Sequence, residues 1–446
     1  MVSLSESGSR QATRGVSKAA LDALLEGHGE GAIPAQMRYD ALARFEELPV
    51  RQVLRGGRSW KQDLSKLDLS GLRTDFHYGP EHDEALGAGG LGTLVFSQVD
   101  GDGAWYTTPT DRLVEGGVLI AQLNAAREMW PEQFNAAFAR AVDTRDDKFA
   151  SLALAFQSGG VFIAVPDDVV VDEPLIIAYE SLAAATFPYT LVSLGKNSRV
   201  TVIERIIARE SVEPWIREPE SFFCGITELV AGDGAKLTYV VDQHASADSR
   251  LIFTRRATLG ANAELSLCDA EIGGEHSVNR IRVSQNSAGS LSNVTAFFFA
   301  DADQHVDLET EVVHAAGSTQ SQTVIRSAGT QRGQGRYLGN IKILKAAHGA
   351  NASLRDDALL LSKEAHVDSV PALEIAANDV KAYHGATVGA ISEDEIFYAQ
   401  TRGLERSEAE RMIALGFFEP ALSRFPGEPL REELRAALRA KLEIAP

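Results

Sequence analysis

Seven of the ten histidines in this 446-residue chain lie between His244 and His384, and neutral imidazole is a common ligand for iron and zinc. The spacings do not make a compact metal site. His305 and His314 are nine residues apart, which places them on opposite faces of a single strand, and the chain contains neither HxxxH nor HExxH. His244, His276, His305, His314, His348 and His366 therefore read as solvated or hydrogen-bonded strand positions. His384 is different. It sits beside Lys381 and Tyr383 and directly before Gly385, where backbone can approach another chain closely, at the point where a turn-rich strand pattern gives way to a capped helix. The two cysteines, Cys224 and Cys268, form no CxxC pair and cannot build a disulfide framework or ligate a cluster by themselves; both read as small buried hydrophobes. Asp242, Asp269 and Glu271 are spaced so that they could be recruited as paired carboxylates for acid–base work on a carbohydrate. The run Gly87-Ala88-Gly89-Gly90-Leu91-Gly92 spells a dinucleotide fingerprint. A dinucleotide site needs a strand before it and a helix after it, whereas here the strand-like Thr93-Leu94-Val95-Phe96 follows, so the run reads as a loop. No GxxxxGK[ST] is present, and an ATP-driven step would belong to a partner.

The charge balance excludes several classes of partner. With 43 basic and 62 acidic residues the net charge is -19, which repels phosphate backbones and anionic lipid. Neither nucleic acid nor membrane is expected as a partner. The first twenty residues are polar and Ser-rich without an apolar h-region, and no run approaches ~18 apolar residues, so the expected location is cytoplasmic.

The elements that must position these residues fall into three parts. Residues 1–110 are expected to hold a disordered start and a helical region, with helices at Lys18 to Leu25 and Ala35 to Leu48. Residues 111–380 read as a β-solenoid whose first coils, to about 166, mix helix and strand: a strand at Gly117 to Ile120, helices around Pro131 to Val142 and Phe149 to Phe156, then the strand Gly159 to Pro166. One pattern recurs here, Gly followed three positions on by Ser or Ala, five on by an aliphatic and six on by Thr or Ser. It occurs at Gly195, Gly232, Gly260 and Gly289, and returns in part at Gly349. Each copy reads as a turn in which Gly takes φ > 0, then a strand with alternate side chains inward. Repeats of this length bury a continuous core only by stacking. The fold expected is mainly β, a right-handed parallel β-helix between helical termini; a large β-sandwich is the competing arrangement. Residues 381–446 are expected to be helical. Capping boxes are expected at Ser392/Glu395 and Ser407/Glu410, a stop at Gly403, a second helix ending before Pro420, and a third carrying Leu430, Leu434, Leu438 and Leu442. Phe417 and Phe418 would either pack back on the last coil or face a partner.

The stretch from Asn378 to Leu404 resembles the C-terminal signature of the SufB/SufD family of iron–sulfur cluster assembly proteins, and its SufD branch most. The matching residues are Asp379-Val380-Lys381, His384-Gly385-Ala386-Thr387-Val388-Gly389, Asp394-Glu395, Phe397-Tyr398 and Arg402-Gly403. Weaker likeness extends from Met37 through Arg38, Ala41, Phe45, Trp60 and Asp63-Leu64, and through Phe149 to Leu152 and Gly160 to Pro166. The resemblance implies a non-enzymatic scaffold subunit that pairs with a SufB-type subunit through the β-helix and with a SufC-type ATPase through Asp394, Glu395, Phe397, Tyr398, Arg402 and Gly403. It also implies that His384 holds or gates iron or a nascent cluster at the SufB interface. No tightly bound cofactor is expected on the chain alone; iron or a cluster passes through the complex, and a reduced flavin and a homodimer are left open. Many SufD sequences carry Cys two residues before the histidine, where this chain has Ala382, so thiolates at that position would come from SufB. A secreted β-helix lyase or hydrolase and a metal-free homo-oligomeric scaffold are the alternatives.

Overall fold

A computed structural model describes residues 15–50, 54–55, 58–59, 67–70, 72, 90–99, 103–105, 110–143, 147–181, 185–208 and 221–444. Trp60, Asp63, Leu64, Gly87 to Gly89 and the first fourteen residues lie outside that set.

The chain opens with α1 (Lys18–His28), capped by Ser17, whose hydroxyl accepts from Ala20 N, and α2 (Ala35–Glu47), entered through Pro34. β1 (Leu54–Arg55) pairs antiparallel with β2 (Arg58–Ser59). Next come β3 (Thr93–Val99), β4 (Gly103–Trp105), α3 (Asp111–Glu115), β5 (Leu119–Gln122), α4 (Leu123–Met129), α5 (Pro131–Ala137) and α6 (Lys148–Ala155). Strands then dominate: β6 (Gly159–Val165), β7 (Leu175–Ser181), β8 (Ala185–Thr186), β9 (Pro188–Leu194), β10 (Arg199–Ala208), β11 (Phe222–Ala231), β12 (Lys236–Ala245), β13 (Arg250–Leu259), β14 (Glu264–Glu271), β15 (His276–Gln285) and β16 (Leu291–Ala300). The series ends with β17 (His305–His314), β18 (Gln320–Gly329), β19 (Gln334–Ile343), β20 (Asn351–Leu360), β21 (His366–Ile375) and β22 (Lys381–Ala390), followed by α7 (Glu393–Thr401), α8 (Arg406–Leu422) and α9 (Glu428–Ile444).

Successive strands from β9 to β22 alternate between two ten-stranded sheets; each pairs in parallel with the strand one coil before and, up to β20, with the strand one coil after. This is the expected parallel β-solenoid. In-register stacking keeps each side chain above its counterpart in the next coil, so one face of each sheet lines a common lumen filled by residues such as Val202, Leu237, Leu265, Val294, Ile325 and Leu354. Both outer faces are covered. The N-terminal helices bury Phe149, Leu152 and Phe156 against Cys224, Ile226, Ile252 and Val278. The C-terminal helices bury Phe418, Phe425 and the α9 leucines against Ile203, Val240, Cys268, Phe297 and Phe299.

Turn chemistry explains the period but corrects its framing. The left-handed corner falls at Asp168, Asn197, Gly234, Asn262, Gly289, Ser318 and Gly349, with φ from 53° to 76°. The N–H at this corner donates to a carbonyl of the next coil, from Asp168 N to Lys196 O at 2.7 Å through to Gly349 N to Asp379 O at 2.7 Å. Gly289 and Gly349 occupy this column as expected. Gly195, Gly232 and Gly260 stand two residues earlier and do not take positive φ. They are required by close stacking: a Cβ at Gly232 would come within 2.8 Å of Leu194 O, and one at Gly260 within 2.6 Å of Asp233 Oδ1.

The boundaries shift at both ends. The solenoid sheet begins before residue 111, because β3 pairs in parallel with β7, and it continues past 380, because residues 381–390 form β22 on β20 in full register. The Ser392 side chain makes no cap bond at α7, and the capping box of α8 is Glu405 with Glu408, not Ser407 with Glu410. Pro420 lies inside α8 rather than beyond it. Gly403 does take a left-handed φ of 95° at the end of α7. Phe417 and Phe418 pack on the side of the solenoid rather than on its last coil: Phe418 meets Phe297 and Phe299 of β16, and the Arg326 guanidinium lies 5.5 Å from the Phe417 ring centroid. Among the described residues, no helix is long and apolar enough to cross a membrane.

Candidate functional site at the open end of the solenoid

The two ends of the stack differ. At the N-terminal end, the antiparallel strands β4 and β5 close the sheets. At the other end β22 and β21 are the outermost strands, and every residue of β22 except Ala382 is exposed. A parallel coil at that position presents unpaired backbone groups along its whole outer edge.

His384 lies on β22 opposite Leu354, and its neighbours in the same alternation, Ala382 and Val388, lie opposite Ala352 and Ala358. Leu354, Ala352 and Ala358 all belong to the lumen core, so the pleat directs His384 to the mouth of the lumen. Ala386, in the same column, lies over Asp356. Asp356 is 0 % exposed, and burial raises its carboxyl to about 7, against the smaller opposing influence of the Ser369 hydroxyl across the lumen. Its hydrogen-bonding neighbour there is the Ser369 hydroxyl. The adjacent Asp357 points outward and is fully engaged. It pairs with Arg326, accepts from Arg355 Nε at 2.8 Å, and accepts from Thr387 Oγ1 at 2.6 Å. That outer cluster fastens β22 to β20 and β18.

The second predicted group begins four residues after β22. Helix α7 buries only Ile396 and Ala399, against Ala409 and the partly buried Ile391, Leu404 and Ile413. Asp394, Glu395, Phe397, Tyr398, Arg402 and Gly403 are all exposed. Phe397 is 68 % and Tyr398 61 % exposed, and the Arg402 guanidinium stacks 5.2 Å from the Tyr398 ring centroid while donating to its hydroxyl at 3.1 Å. Two large aromatic side chains in water, next to an exposed arginine, form the composition found at the centre of protein interfaces.

The remaining chemistry-bearing residues are structural. Cys224 Sγ lies 3.4 Å from Phe149 O and Cys268 Sγ 3.4 Å from Arg424 O. Burial holds the Cys224 thiol well above its usual range and pushes the Cys268 thiol up to about 12, so neither is a ready thiolate. Asp242 faces outward beneath α9, bound by Arg205 at 3.1 Å and by His244 at 2.6 Å. Asp269 and Glu271 face the lumen, where Asn279 donates to them at 2.6 Å and 3.0 Å. The three carboxylates are thus buried on opposite faces of one sheet and share no groove. His276 and His305 stack ring on ring at 5.0 Å, and among the described residues no group of three or more His, Cys, Asp or Glu side chains is placed to hold a metal ion. Gly92, the last glycine of the fingerprint-like run, leads straight into β3 and not into a helix.

Comparison with known proteins agrees with this architecture. Residues 176–417 match the family model described as SUF system FeS cluster assembly, SufBD core domain, and residues 92–177 match the SufBD protein N-terminal region. The chain belongs to the SufBD family. Within this family it is 26% identical over 419 residues to an iron-sulfur cluster assembly SufBD family protein of Staphylococcus epidermidis, covering 88% of this chain and 85% of the relative. It is also 26% identical over 395 residues to a Bacillus subtilis protein named iron-sulfur cluster assembly protein SufB, covering 86% of this chain and 80% of that one. The SufBD core model ends at 417, inside α8, so it takes in both β22 and the exposed face of α7.

Proposed function

We propose that this SufBD-family chain is a SufD-like, non-enzymatic scaffold subunit that pairs with a SufB-type subunit and carries a SufC-type ATPase, working in the cytoplasm in the assembly of iron–sulfur clusters. The observation that carries this reading is the uncovered last coil, which presents His384 at the mouth of the lumen. A partner docked there would cover the open strand edge and supply the thiolates that Ala382, Cys224 and Cys268 cannot. Iron or a nascent cluster is cargo at that junction rather than a resident cofactor, and any reduced flavin belongs to the assembled complex. The exposed face of α7, centred on Phe397, Tyr398 and Arg402, is the surface for the ATPase. The three carboxylates singled out for the carbohydrate-enzyme alternative share no groove, because Asp242 is separated from Asp269 and Glu271 by the sheet itself.

The test is co-purification from native extract with iron and sulfide assayed on the recovered complex. The expected outcome is recovery of a SufB-type subunit and a phosphate-loop ATPase, loss of iron with His384→Ala, and loss of the ATPase with Arg402→Glu. Recovery of a metal-free homo-oligomer would leave the fold and remove this function.

A further inference from the structure

Between the end of α2, the start of α6 and the outer faces of β13, β15, β17 and β19 lies a cavity of about 370 Å³, a size that suits a small molecule. Its floor follows from the coil register. Arg256, Arg282, Glu311 and Asn340 lie side by side on successive coils, and Arg280, Glu309 and Leu338 form the neighbouring row. Leu48, Pro49 and Phe149 add an apolar wall. Two arginines in register on adjacent strands repel one another, and the acids around them are already engaged. Glu311 pairs with Arg282 and accepts from Asn340 Nδ2 at 3.1 Å, while Glu309 accepts from Arg336 at 3.0 Å. Asp147, the N-cap of α6, accepts from Phe149 N at 2.9 Å, and from Ala150 N, Thr254 Oγ1 and Arg280 Nη1 at 3.2 Å. Arg256 is left over. The Asp147 carboxylate stands off from it at 3.9 Å, and its Nη1 donates to two backbone carbonyls, Arg255 O at 2.9 Å and Arg280 O at 2.8 Å. Its Nε and Nη2, the edge that matches an oxyanion bidentately, make no hydrogen bond among the described residues. Burial, reinforced by the Arg282 and Arg280 charges against the pull of Asp147, holds this guanidinium down at about 10, below its ordinary value. Four cations, Lys148, Arg256, Arg280 and Arg282, line the cavity against three carboxylates, Asp147, Glu309 and Glu311, in a chain whose net charge is -19.

We propose that this cavity binds a small organic anion, whose carboxylate or phosphate is held by Arg256 and whose apolar body lies against Leu48, Pro49 and Phe149. A neutral ligand would leave the largely buried Arg256 charge as it stands, and a cation would meet three guanidinium groups. Lys148 is not the anchor, because its ammonium is already held by Phe45 O and by Leu48 O at 2.9 Å, where it closes the end of α2. The walls come from the helical cover on one side and from the solenoid on the other, so an occupied site fastens the two together and raises the melting temperature by linkage. This site is independent of the end coil and of α7, and the inference goes beyond the proposed function.

The experiment is calorimetric titration of the purified full-length chain with phenyl phosphate, with benzoate, and with inorganic phosphate as a head group that lacks the apolar body. The wild-type chain is expected to bind one equivalent of an organic probe; binding of phenyl phosphate alone or of benzoate alone supports the site and assigns its head group. Inorganic phosphate should bind at least about tenfold more weakly than the better organic probe, since it buries no apolar surface. Arg256→Gln, which can still donate to the two carbonyls, should weaken binding by about tenfold or more through loss of the charge-assisted bonds. Arg256→Lys keeps the charge without the planar fork and should fall between the two; it carries the test alone if the glutamine variant does not fold. Absence of saturable binding of both organic probes to the wild-type chain overturns the site, and so does unchanged affinity in the Arg256 variants. Inorganic phosphate binding as tightly as phenyl phosphate overturns the organic-ligand assignment. None of these titrations depends on partner recovery or iron loading, which test the proposed function separately.

Discussion

His314 projects into the lumen, where its ring nitrogens meet Thr319 Oγ1 at 2.8 Å and Ser321 Oγ at 2.9 Å. Burial holds it down at about 4, below the ordinary 6.5. Between those values the unfolded chain binds a proton that the folded chain refuses, so the folded state loses stability as pH falls. The contribution, about 3 kcal/mol from the size of the depression, is fully present above pH ~6.5 and gone once pH has fallen through about 4. His314→Gln keeps a hydrogen-bonding side chain without the titration. Urea denaturation at a series of pH values should show a shallower acid limb for the variant, and parallel limbs would sink the assignment. The opposed faces of His305 and His314 were legible from their odd spacing alone. Asp356 was not, because beside Asp357 it reads as half of a solvated acidic pair. The available signal was the alternation Ala352, Leu354, Asp356, Ala358, which puts a carboxylate in an otherwise apolar inward column, but only the folded coils show that the Ser369 hydroxyl answers it from across the lumen.

Two terminal helices of the same chain differ sharply in how firmly they are held. Helix α9 buries Leu430, Leu434, Leu438 and Leu442, each contributing on the order of 2 kcal/mol, and Lys441 Nζ reaches Phe299 O at 2.8 Å and Asp301 Oδ1 at 2.9 Å on the sheet below. Helix α7 rests on Ile396 and Ala399 and on the exposed Arg406–Glu393 ion pair at 2.6 Å, and a surface pair of this kind contributes under ~1 kcal/mol. Native-state hydrogen exchange should therefore find the α7 amides opening at a free energy a few kcal/mol, on the order of 3, below those of α9; equal protection in the free chain would contradict this packing argument. The leucine spacing of α9 announced that helix plainly. Strand β22 was hidden for a physical reason: Lys381-Ala382-Tyr383-His384-Gly385-Ala386 has little strand propensity of its own and is a strand because β20 templates it. The coil corner was legible as a period but misplaced by two residues in three copies, since Asn197, Gly234 and Asn262 take the left-handed position while the glycines two residues earlier are held by close stacking.

At the scale of the whole molecule, a solenoid transmits contact only between neighbouring coils, so its two predicted docking surfaces are separable in principle although α7 follows β22 by three residues. The C-terminal helices fold back along the side of the stack and leave the end coil uncovered, with Tyr383 63 % and Val388 47 % exposed on it. Replacing exposed side chains normally changes stability by no more than about 0.5 kcal/mol, so aspartates introduced here report on binding rather than on folding. Tyr383→Asp with Val388→Asp should weaken association with the SufB-type subunit by roughly a hundredfold, in the range found when central aromatic contacts are removed, and leave ATPase binding unchanged. Phe397→Asp should do the reverse. Calorimetric titration of each variant against each partner separates the outcomes. If either variant abolished both interactions while still melting as wild type does, the two surfaces would form one continuous interface, and the division of labour between the end coil and α7 would be wrong. If each abolished only its own, the open coil would be acting as the cargo junction and the loosely held α7 as the handle through which a nucleotide-driven partner moves it.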